Sequence, residues 1–404
     1  MTPEIAHFLL SEPGRVLLTQ ADILRMERAD LLTALTRLRR QADPEQADAA
    51  WEMSDLRQRG IQKFGPDAAQ MYFVREALEQ ASGWGAANYH AARFVQAGIT
   101  TVADLCGGIG GDALAFARAG LNVTLYERDP IRALFAAENA VVCGQSECVT
   151  VRLADATMSQ IEAEAAWFDP ARRTDNRRVS DPDDYAPPLL WLAALQEQGI
   201  AHVGVKLSPA IDHALAARYG AELEFLSERG ECKEALLWLG RLKSGDALRA
   251  TLLTEKSAIS LAGAEDRPTA SAMPAVGRYL YEPDPGVIRA HLVGTLAGQI
   301  QAATLDPQIA YLVGNMLHAT PFATAYEILE RFPFSKKRLQ DALTTRQVGR
   351  VIIKKRGFPI EPDQLRRQLK LRGPQEVTAI LARIGKGHET FLCQPFAGNS
   401  GVNA

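Results

Sequence analysis

Four acids, Asp104, Glu127, Asp155 and Asp169, each stand at the end of a short apolar run, and a glycine-rich turn follows the first of them. That turn reads Asp104-Leu-Cys106-Gly107-Gly108-Ile-Gly110-Gly111-Asp112. Glycines at such a turn let the backbone approach a ligand closely, and an acid after the next strand can accept hydrogen bonds from ribose hydroxyls, the part Glu127 can play. Asp155, after the third run, can accept from the amino group of an adenine. Asp169 opens Asp169-Pro170-Ala171-Arg172-Arg173. A carboxylate there can take up a proton or orient a nucleophile. Arg172 and Arg173 can hold a phosphate or carboxylate bidentately, or pair with Asp181, Asp183 or Asp184. Lys206, ending a fifth run, is a further polar group at the same sheet edge.

Two nucleotide ligands compete for the turn. Gly108-x-Gly110-x-x-Ala113 with Glu127 nineteen residues beyond Gly108 matches a relaxed dinucleotide fingerprint, which is the chemistry of a dehydrogenase. S-adenosylmethionine uses more of the chain. Asp104 stands where a carboxylate meets a cationic amino acid moiety and would repel a pyrophosphate. The expected binding set is Asp104, Cys106, Gly107, Gly108, Gly110, Glu127, Asp155 and Asp169. The expected catalytic set is Asp169, Pro170 and Arg172. Cys106 holds the first glycine position of the common acid-x-G-x-G-x-G loop, where its small side chain fits. No cysteine pair is placed as nucleophile and base.

The elements that must position these residues are legible from hydrophobic pattern. Runs 102–105, 123–126, 149–153, 166–168 and 201–207 read as strands alternating with helices at 112–119, 130–142, 185–199 and 211–219. Two longer strands, 221–227 and 232–242, joined at 228–231, form a closing antiparallel hairpin. The expected fold is therefore α/β, a Rossmann-like sheet of five parallel β-α units plus that hairpin, over residues 96–245. Residues 1–95 read as a helical cap, with Asp43 and Pro44 starting one helix and another expected at 68–81. Gln80 and Ser82, in the segment before the glycine loop, can reach a cofactor or serve only the helix-turn chemistry there. Residues 246–323 read as a linker and connecting subdomain, with a loop at 258–274, a strand at 277–283 and a helix at 287–303.

Residues 324–404 alternate strand and helix as a small α+β domain. Its charge stands apart from a chain whose formal net charge is −3. From Arg331 to Arg372 there are 13 Lys and Arg against three acids, Asp341, Glu361 and Asp363, a balance of +10 that leaves −13 elsewhere. A basic module on an acidic body is a footprint for nucleic acid. Lys336, Lys337, Arg338, Lys354, Lys355 and Arg356 are the expected RNA contacts, and Phe334 and Phe358 lie among them as candidate stacking rings or core. The five scattered cysteines have no metal spacing and fit a reducing cytoplasm, and no apolar run or leader pattern points to a membrane or export.

Asp104 to Asp112, the Asp169-Pro-Ala-Arg-Arg173 motif followed by Asp181-Pro-Asp-Asp-Tyr185-Ala-Pro-Pro188, and the basic C-terminal module together resemble bacterial class I S-adenosylmethionine-dependent methyltransferases with a THUMP-like domain. The resemblance spans roughly residues 60–396. It implies a methyltransferase fold, S-adenosylmethionine as cofactor and an RNA substrate. Amino-group methyltransferases commonly carry Asn or Asp, then Pro-Pro and an aromatic ring. Here Ala171 and Arg172 replace the second proline and the ring. Direct methyl transfer beside Asp169 is the expected reaction. A catalytically inactive RNA-binding protein, or a methyltransferase for a small molecule or protein, is the alternative.

Overall fold

The computed structural model describes residues 1–171, 181–265 and 277–396, with the backbone alone of 173–174 and 177–178. The chain divides into two compact units, Met1–Ala221 with Leu236–Ser244, and Glu222–Ala235 with the residues from Gly245 onward.

The first unit opens with helices α1 (Pro3–Leu10), α2 (Glu12–Met26), α3 (Leu31–Leu38) and α4 (Pro44–Phe64). Each begins where the sequence supplies a cap. Thr2, Ser11 and Asp30 accept from the backbone of Ile5, Gly14 and Thr33, and Pro44 takes the first turn of α4 after Asp43. Only the second half of the helix expected over 68–81 forms. A 3₁₀ turn covers Gly65–Ala69, residues 71–74 lie outside helix and strand, and only α5 (Arg75–Gln80) is helical, before α6 (Trp84–Gln96). The cause is tertiary. The Asn139 amide accepts from Tyr72 N at 2.7 Å and donates to Tyr72 O at 3.0 Å, as a strand neighbour would. The buried Arg57 guanidinium donates to the carbonyls of Met71 and Gln70. These bonds satisfy the non-helical backbone and outweigh helix propensity.

Strands β1 (Thr101–Asp104), β2 (Asn122–Glu127), β3 (Val149–Leu153) and β4 (Ala165–Phe168) follow, with α7 (Gly111–Arg118) and α8 (Pro130–Val142) as crossovers. A two-residue ribbon, β5 (Arg173–Thr174) and β6 (Arg177–Arg178), leads through α9 (Leu192–Glu197) to β7 (His202–Leu207) and α10 (Ala214–Tyr219). The order is β7-β4-β1-β2-β3, every pair parallel. Helices on both faces bury β4 completely, so it reads Ala-Ala-Trp-Phe rather than alternating. Trp167 packs on His90, Phe94, Phe116 and Trp238. The N-terminal helices share this core through Leu9, Leu18, Met53 and Phe64.

The second unit holds β8 (Glu222–Glu228), most of β9 (Glu231–Trp238), β10 (Leu248–Leu253) and β11 (Ala258–Gly263). Arg229 and Gly230 turn the expected hairpin with φ of 51° and 76°, the left-handed pair of a type I′ turn. The chain does not stop there. β10 runs parallel to β8 and β11 antiparallel to β10, so residues 258–263, expected as loop, are strand. Buried acids on β8 explain the addition: Glu222 is bound by Arg249 at 2.9 Å and Glu224 accepts from Thr251, both partners on β10.

A second sheet takes β12 (Tyr279–Pro283), β13 (Ala303–Asp306), β14 (Ile309–Gly314), β15 (Ala323–Pro333), β16 (Val348–Arg356), β17 (Gln375–Ile384) and β18 (Gly387–Pro395) in the order β13-β14-β12-β15-β18-β17-β16. The helix expected at 287–303 is split into α11 (Pro285–Arg289) and α12 (Val293–Gln299), with His291 at φ 54° between them. Helices α13 (Lys336–Thr345) and α14 (Pro362–Arg367) cover one face, over Leu339, Val351, Leu365 and Leu392. Leu280, Tyr311, Ile380 and Phe391 fill the other. The sheet curls, because edge strand β16 returns to the far side. Arg356 lies over the Tyr311 ring of β14 at 5.1 Å, and Lys354 pairs with Glu282 of β12.

Candidate cofactor site

The site is built at the carboxyl ends of β1, β2, β4 and β7. The chain leaves β1 at Asp104 and must turn at once into α7. A Cβ on Gly107 would stand 2.1 Å from Leu125 Cγ, so only glycine lets the turn lie flat on β2. Gly110, at φ 89°, is the left-handed cap that starts α7. Above Gly108 the space is open among the described residues, with no atom outside its chain neighbours within 4 Å of where a Cβ would sit. The floor of the turn is packed and, among the described residues, its outer side is clear.

Glu127 locks this loop. Its Oε2 accepts from Gly108 N at 2.9 Å and its Oε1 from Asp129 N at 2.8 Å. Each carboxylate oxygen has a second lone pair, which leaves capacity for a diol. Burial raises its proton affinity, against the two backbone bonds and the charge of Arg132. Asp104 is 2% exposed, and its Oδ2 has no hydrogen-bond partner among the described residues. Burial first, then the charges of Asp112, Asp169 and Glu127, push its carboxyl well above the ordinary range. An orphaned buried acid in a field of other acids is completed by a cation. Cys106 lies in the same field. Burial, with Asp169, Asp104 and Glu127, pushes its thiol well up, so it stays neutral and is no nucleophile.

This electrostatic well separates the two ligands. A sulfonium with a nearby ammonium is attracted into it, whereas a pyrophosphate is repelled. The residues present therefore fit S-adenosylmethionine. Asp155 is exposed, and its Oδ1 accepts from Thr157 N at 2.9 Å and Thr157 Oγ1 at 2.7 Å.

Asp169 and Pro170 follow β4, with Pro170 buried and Asp169 half-buried. Lys206, one strand over on β7, donates to Asp169 Oδ2 at 2.7 Å. Its ammonium also lies 3.4 Å from Gln80 O, at the end of α5. Ala171 exchanges both backbone hydrogen bonds with Ala186 at 3.0 Å, so the two halves of the D-P-A-R-R to D-P-D-D-Y-A-P-P segment meet. Arg172 lies outside the described residues, as does the side chain of Arg173. Asp183, a candidate partner for those arginines, is engaged by Arg218 at 2.9 Å.

Two further residues belong to this neighbourhood and had no role in the sequence reading. Asp112, in the first turn of α7, receives Ser82 Oγ at 3.1 Å and faces His90 Nδ1 at 2.9 Å. His90 is fully buried and stacked on Trp167, ring centres 4.3 Å apart. Burial works to raise the Asp112 carboxyl, but His90, Lys206 and the Ser82 hydroxyl outweigh it and hold it below the ordinary value. The signal was present as an acid closing G-G-I-G-G-D and a histidine inside an apolar helix, but nothing in one dimension paired them. Ser82, weighed as a cofactor contact or as helix-turn chemistry, is buried and donates to Asp112.

The basic module divides. Lys336, Lys337 and Arg338 are exposed on α13. Lys354 and Arg356 face Glu282, and Lys355 pairs with Glu361 at 2.6 Å. Phe334 and Phe358 pack edge-to-face at 4.7 Å in the core under α13 and α14, so they are not free to stack on bases. Among the described residues, no helix is long and apolar enough to cross a membrane.

Comparison with known proteins agrees with this geometry. Residues 323–395 match the THUMP domain-like family, and residues 3–60 match a domain of unknown function, DUF8688. An uncharacterised S-adenosylmethionine-dependent methyltransferase of Mycobacterium tuberculosis, present in strains CDC 1551 and H37Rv, is 33% identical over 361 residues, covering 86% of this chain and 97% of the relative. A crystal structure of a candidate methyltransferase from Porphyromonas gingivalis W83 has the same fold, with a TM-score of 0.76 and 22% identity over 95% of this chain and 98% of that one. The chain belongs to the S-adenosylmethionine-dependent methyltransferases, in the class I, Rossmann-like form with a C-terminal THUMP-like domain, and S-adenosylmethionine is its cofactor.

Proposed function

We propose that this enzyme methylates RNA, at a nucleophile presented beside Asp169 and Pro170. The observation that carries the reading is the combination, in one chain, of an acid-lined cofactor edge and a THUMP-like domain over 323–395 with Lys336, Lys337 and Arg338 exposed on its helix. S-adenosylmethionine supplies a methyl group already activated by a sulfonium, so the protein's task is alignment and charge management.

Asp104 meets the cationic amino acid moiety. Glu127 accepts from the ribose hydroxyls with the lone pairs left over from Gly108 and Asp129. Gly107, Gly108 and Gly110 give the close approach, Cys106 lines it as a neutral thiol, and Asp155 serves the adenine amino group. Asp169 orients the nucleophile and accepts its proton, and the hydrogen bond from Lys206 holds that carboxylate in place. The missing aromatic ring after Pro170 favours an acceptor that is positioned by hydrogen bonds rather than by stacking. Arg172 is proposed to hold a phosphate of that acceptor.

The test is mass spectrometry of RNA modifications from cells with and without the protein, alongside transfer of labelled methyl from S-adenosylmethionine to total RNA by purified enzyme. One methylated nucleoside lost without the protein, and restored by wild type but not by Asp169→Ala, is the expected result. Label entering protein or small molecules while RNA stays unlabelled would overturn the RNA assignment.

A further inference from the structure

The second unit contains a cavity of about 170 Å³ remote in sequence from the glycine loop. Its wall includes the hairpin tip at Arg229 and Gly230, the end of β12 at Glu282, and Lys354 and Arg356 of β16. Thr320 and Thr324 add hydroxyls. Whole small-molecule sites run to about 300–1,000 Å³, so this volume suits one functional group of a larger ligand.

The charge is what selects the group. Glu282 is the hub: its Oε2 accepts from Lys354 and lies 3.2 Å from the Tyr326 hydroxyl, while its Oε1 lies 3.8 Å from Arg356 Nη2. One carboxylate thus fixes two cations and leaves one positive charge over. Burial acts to lower the Lys354 ammonium, but the charge and hydrogen bond of Glu282 outweigh it, so the group stays cationic. Arg356 Cζ also lies over the Tyr311 ring, 5.1 Å from its centre. A guanidinium has five N–H donors, and these contacts use only part of them. Arg229 adds a second surplus charge from the hairpin. Asp284 is the other acid in the wall. It caps α11 through Gly286 N at 2.7 Å, and burial shifts its carboxyl toward the neutral form. The cavity is therefore a small, pre-organised cationic socket, its arginine and lysine held by a carboxylate that cannot fully neutralise them.

We propose that this socket binds the phosphate of a nucleotide, with Arg229, Arg356 and Lys354 as its cations. The inference rests on the RNA reading for the source it favours, a backbone phosphate of the RNA substrate, with a free nucleotide as the other source of the same chemistry. Lys354 and Arg356 would then contact RNA inside a cavity rather than along an exposed strand.

The test uses the full-length protein. Arg229→Asn removes one cation and suits the left-handed turn, where asparagine is a favoured residue, so the hairpin keeps its shape. Arg356→Gln removes the second and leaves the Lys354–Glu282 pair. Binding of a fluorescein-labelled 12-mer oligoribonucleotide is followed by anisotropy across salt concentrations, binding of AMP and of adenosine by calorimetry, and binding of S-adenosylmethionine as the control for an intact first unit. Each variant is expected to bind RNA about tenfold more weakly, the loss of one charge-assisted contact. The slope of log Kd against log salt is expected to fall by about one, with S-adenosylmethionine binding unchanged. AMP binding that adenosine lacks, and that Arg229→Asn abolishes, would support the socket even if the RNA does not bind. In that case the nucleotide source is free and the RNA reading fails alone. RNA binding that both variants leave unchanged in affinity and salt slope would overturn the socket while the RNA reading stands. Wild type binding neither AMP nor RNA would overturn both.

Discussion

Replacing Asp104 by asparagine separates the ligand-binding role of this carboxylate from any structural one. The side chain is 2% exposed, its Oδ2 has no partner among the described residues, and its environment adds Asp112, Asp169 and Glu127. Such a group costs the ligand-free protein stability. The sign follows from its raised proton affinity. The folded state keeps a proton that the unfolded chain gives up near 3.8, so stability falls as pH rises from there through the elevated folded value. Asparagine removes that slope, and the ligand-free variant is expected to melt no lower than wild type at neutral pH. Binding moves the other way. Losing one charge-assisted hydrogen bond to a cation costs about 1.5–3 kcal/mol, a factor of roughly 10–150 in Kd. A cation beside Asp104 also lowers its proton affinity, so wild type is expected to release protons on binding. Calorimetry with S-adenosylmethionine in two buffers of different ionisation enthalpy reads both quantities, and the variant is expected to lose most of the proton release. A variant that binds within twofold of wild type, with unchanged proton release, would refute the placement of the cation at Asp104.

Three other substitutions probe the surrounding frame. Gly107→Ala puts a methyl 2.1 Å from Leu125 Cγ, whose side chain is fully buried, and is expected to cost about 1–3 kcal/mol in urea unfolding; unchanged stability would mean the loop does not rest on Leu125. His90→Ala strips Asp112 of its buried partner and is expected to cost about 3–5 kcal/mol at pH 7. Because the Asp112 carboxyl is depressed, its share of that loss is present above about 3.8 and disappears as pH falls through the folded value, so the gap between variant and wild type should narrow in acid unfolding titrations. Lys206→Met severs the 2.7 Å bond to Asp169 and the contact with Gln80 O. It is expected to slow methyl transfer to RNA by about a hundredfold while S-adenosylmethionine binds within about threefold of wild type; equal losses in both would make Lys206 part of the cofactor site instead.

The strand, glycine turn and helix from Thr101 onward were legible because every local signal agreed: β-branched runs, φ-positive glycines and an acid at each strand end. The strands and helices of the basic module were legible for the same reason. What was hidden depended on partners far away in sequence. The non-helical segment at 71–74 follows from Asn139, sixty-seven residues beyond Tyr72. The strand at 258–263 follows from buried acids on β8 that hold β10 in place. The Asp112–His90 pair joins residues of two helices that no spacing rule connects.

The basic module shows most plainly why charge along a chain is not charge in space. A count from Arg331 to Arg372 gives +10, yet Lys354 and Arg356 meet Glu282, an acid outside that window on a strand four positions across the sheet. The sheet's curl makes the meeting, and Tyr311 beneath Arg356 helps fix it. Exposed lysines such as Lys336 and Lys337 retain rotamer freedom, so each contact they make with a polyanion carries an ordering cost. Arg356 and Lys354 have already met that cost in folding, against Glu282. A phosphate entering their cavity finds donors that are aimed before it arrives, which favours geometry over mere attraction. On the proposed RNA function, the salt dependence of binding should therefore come mainly from α13, and discrimination among RNA shapes mainly from the residues around Glu282.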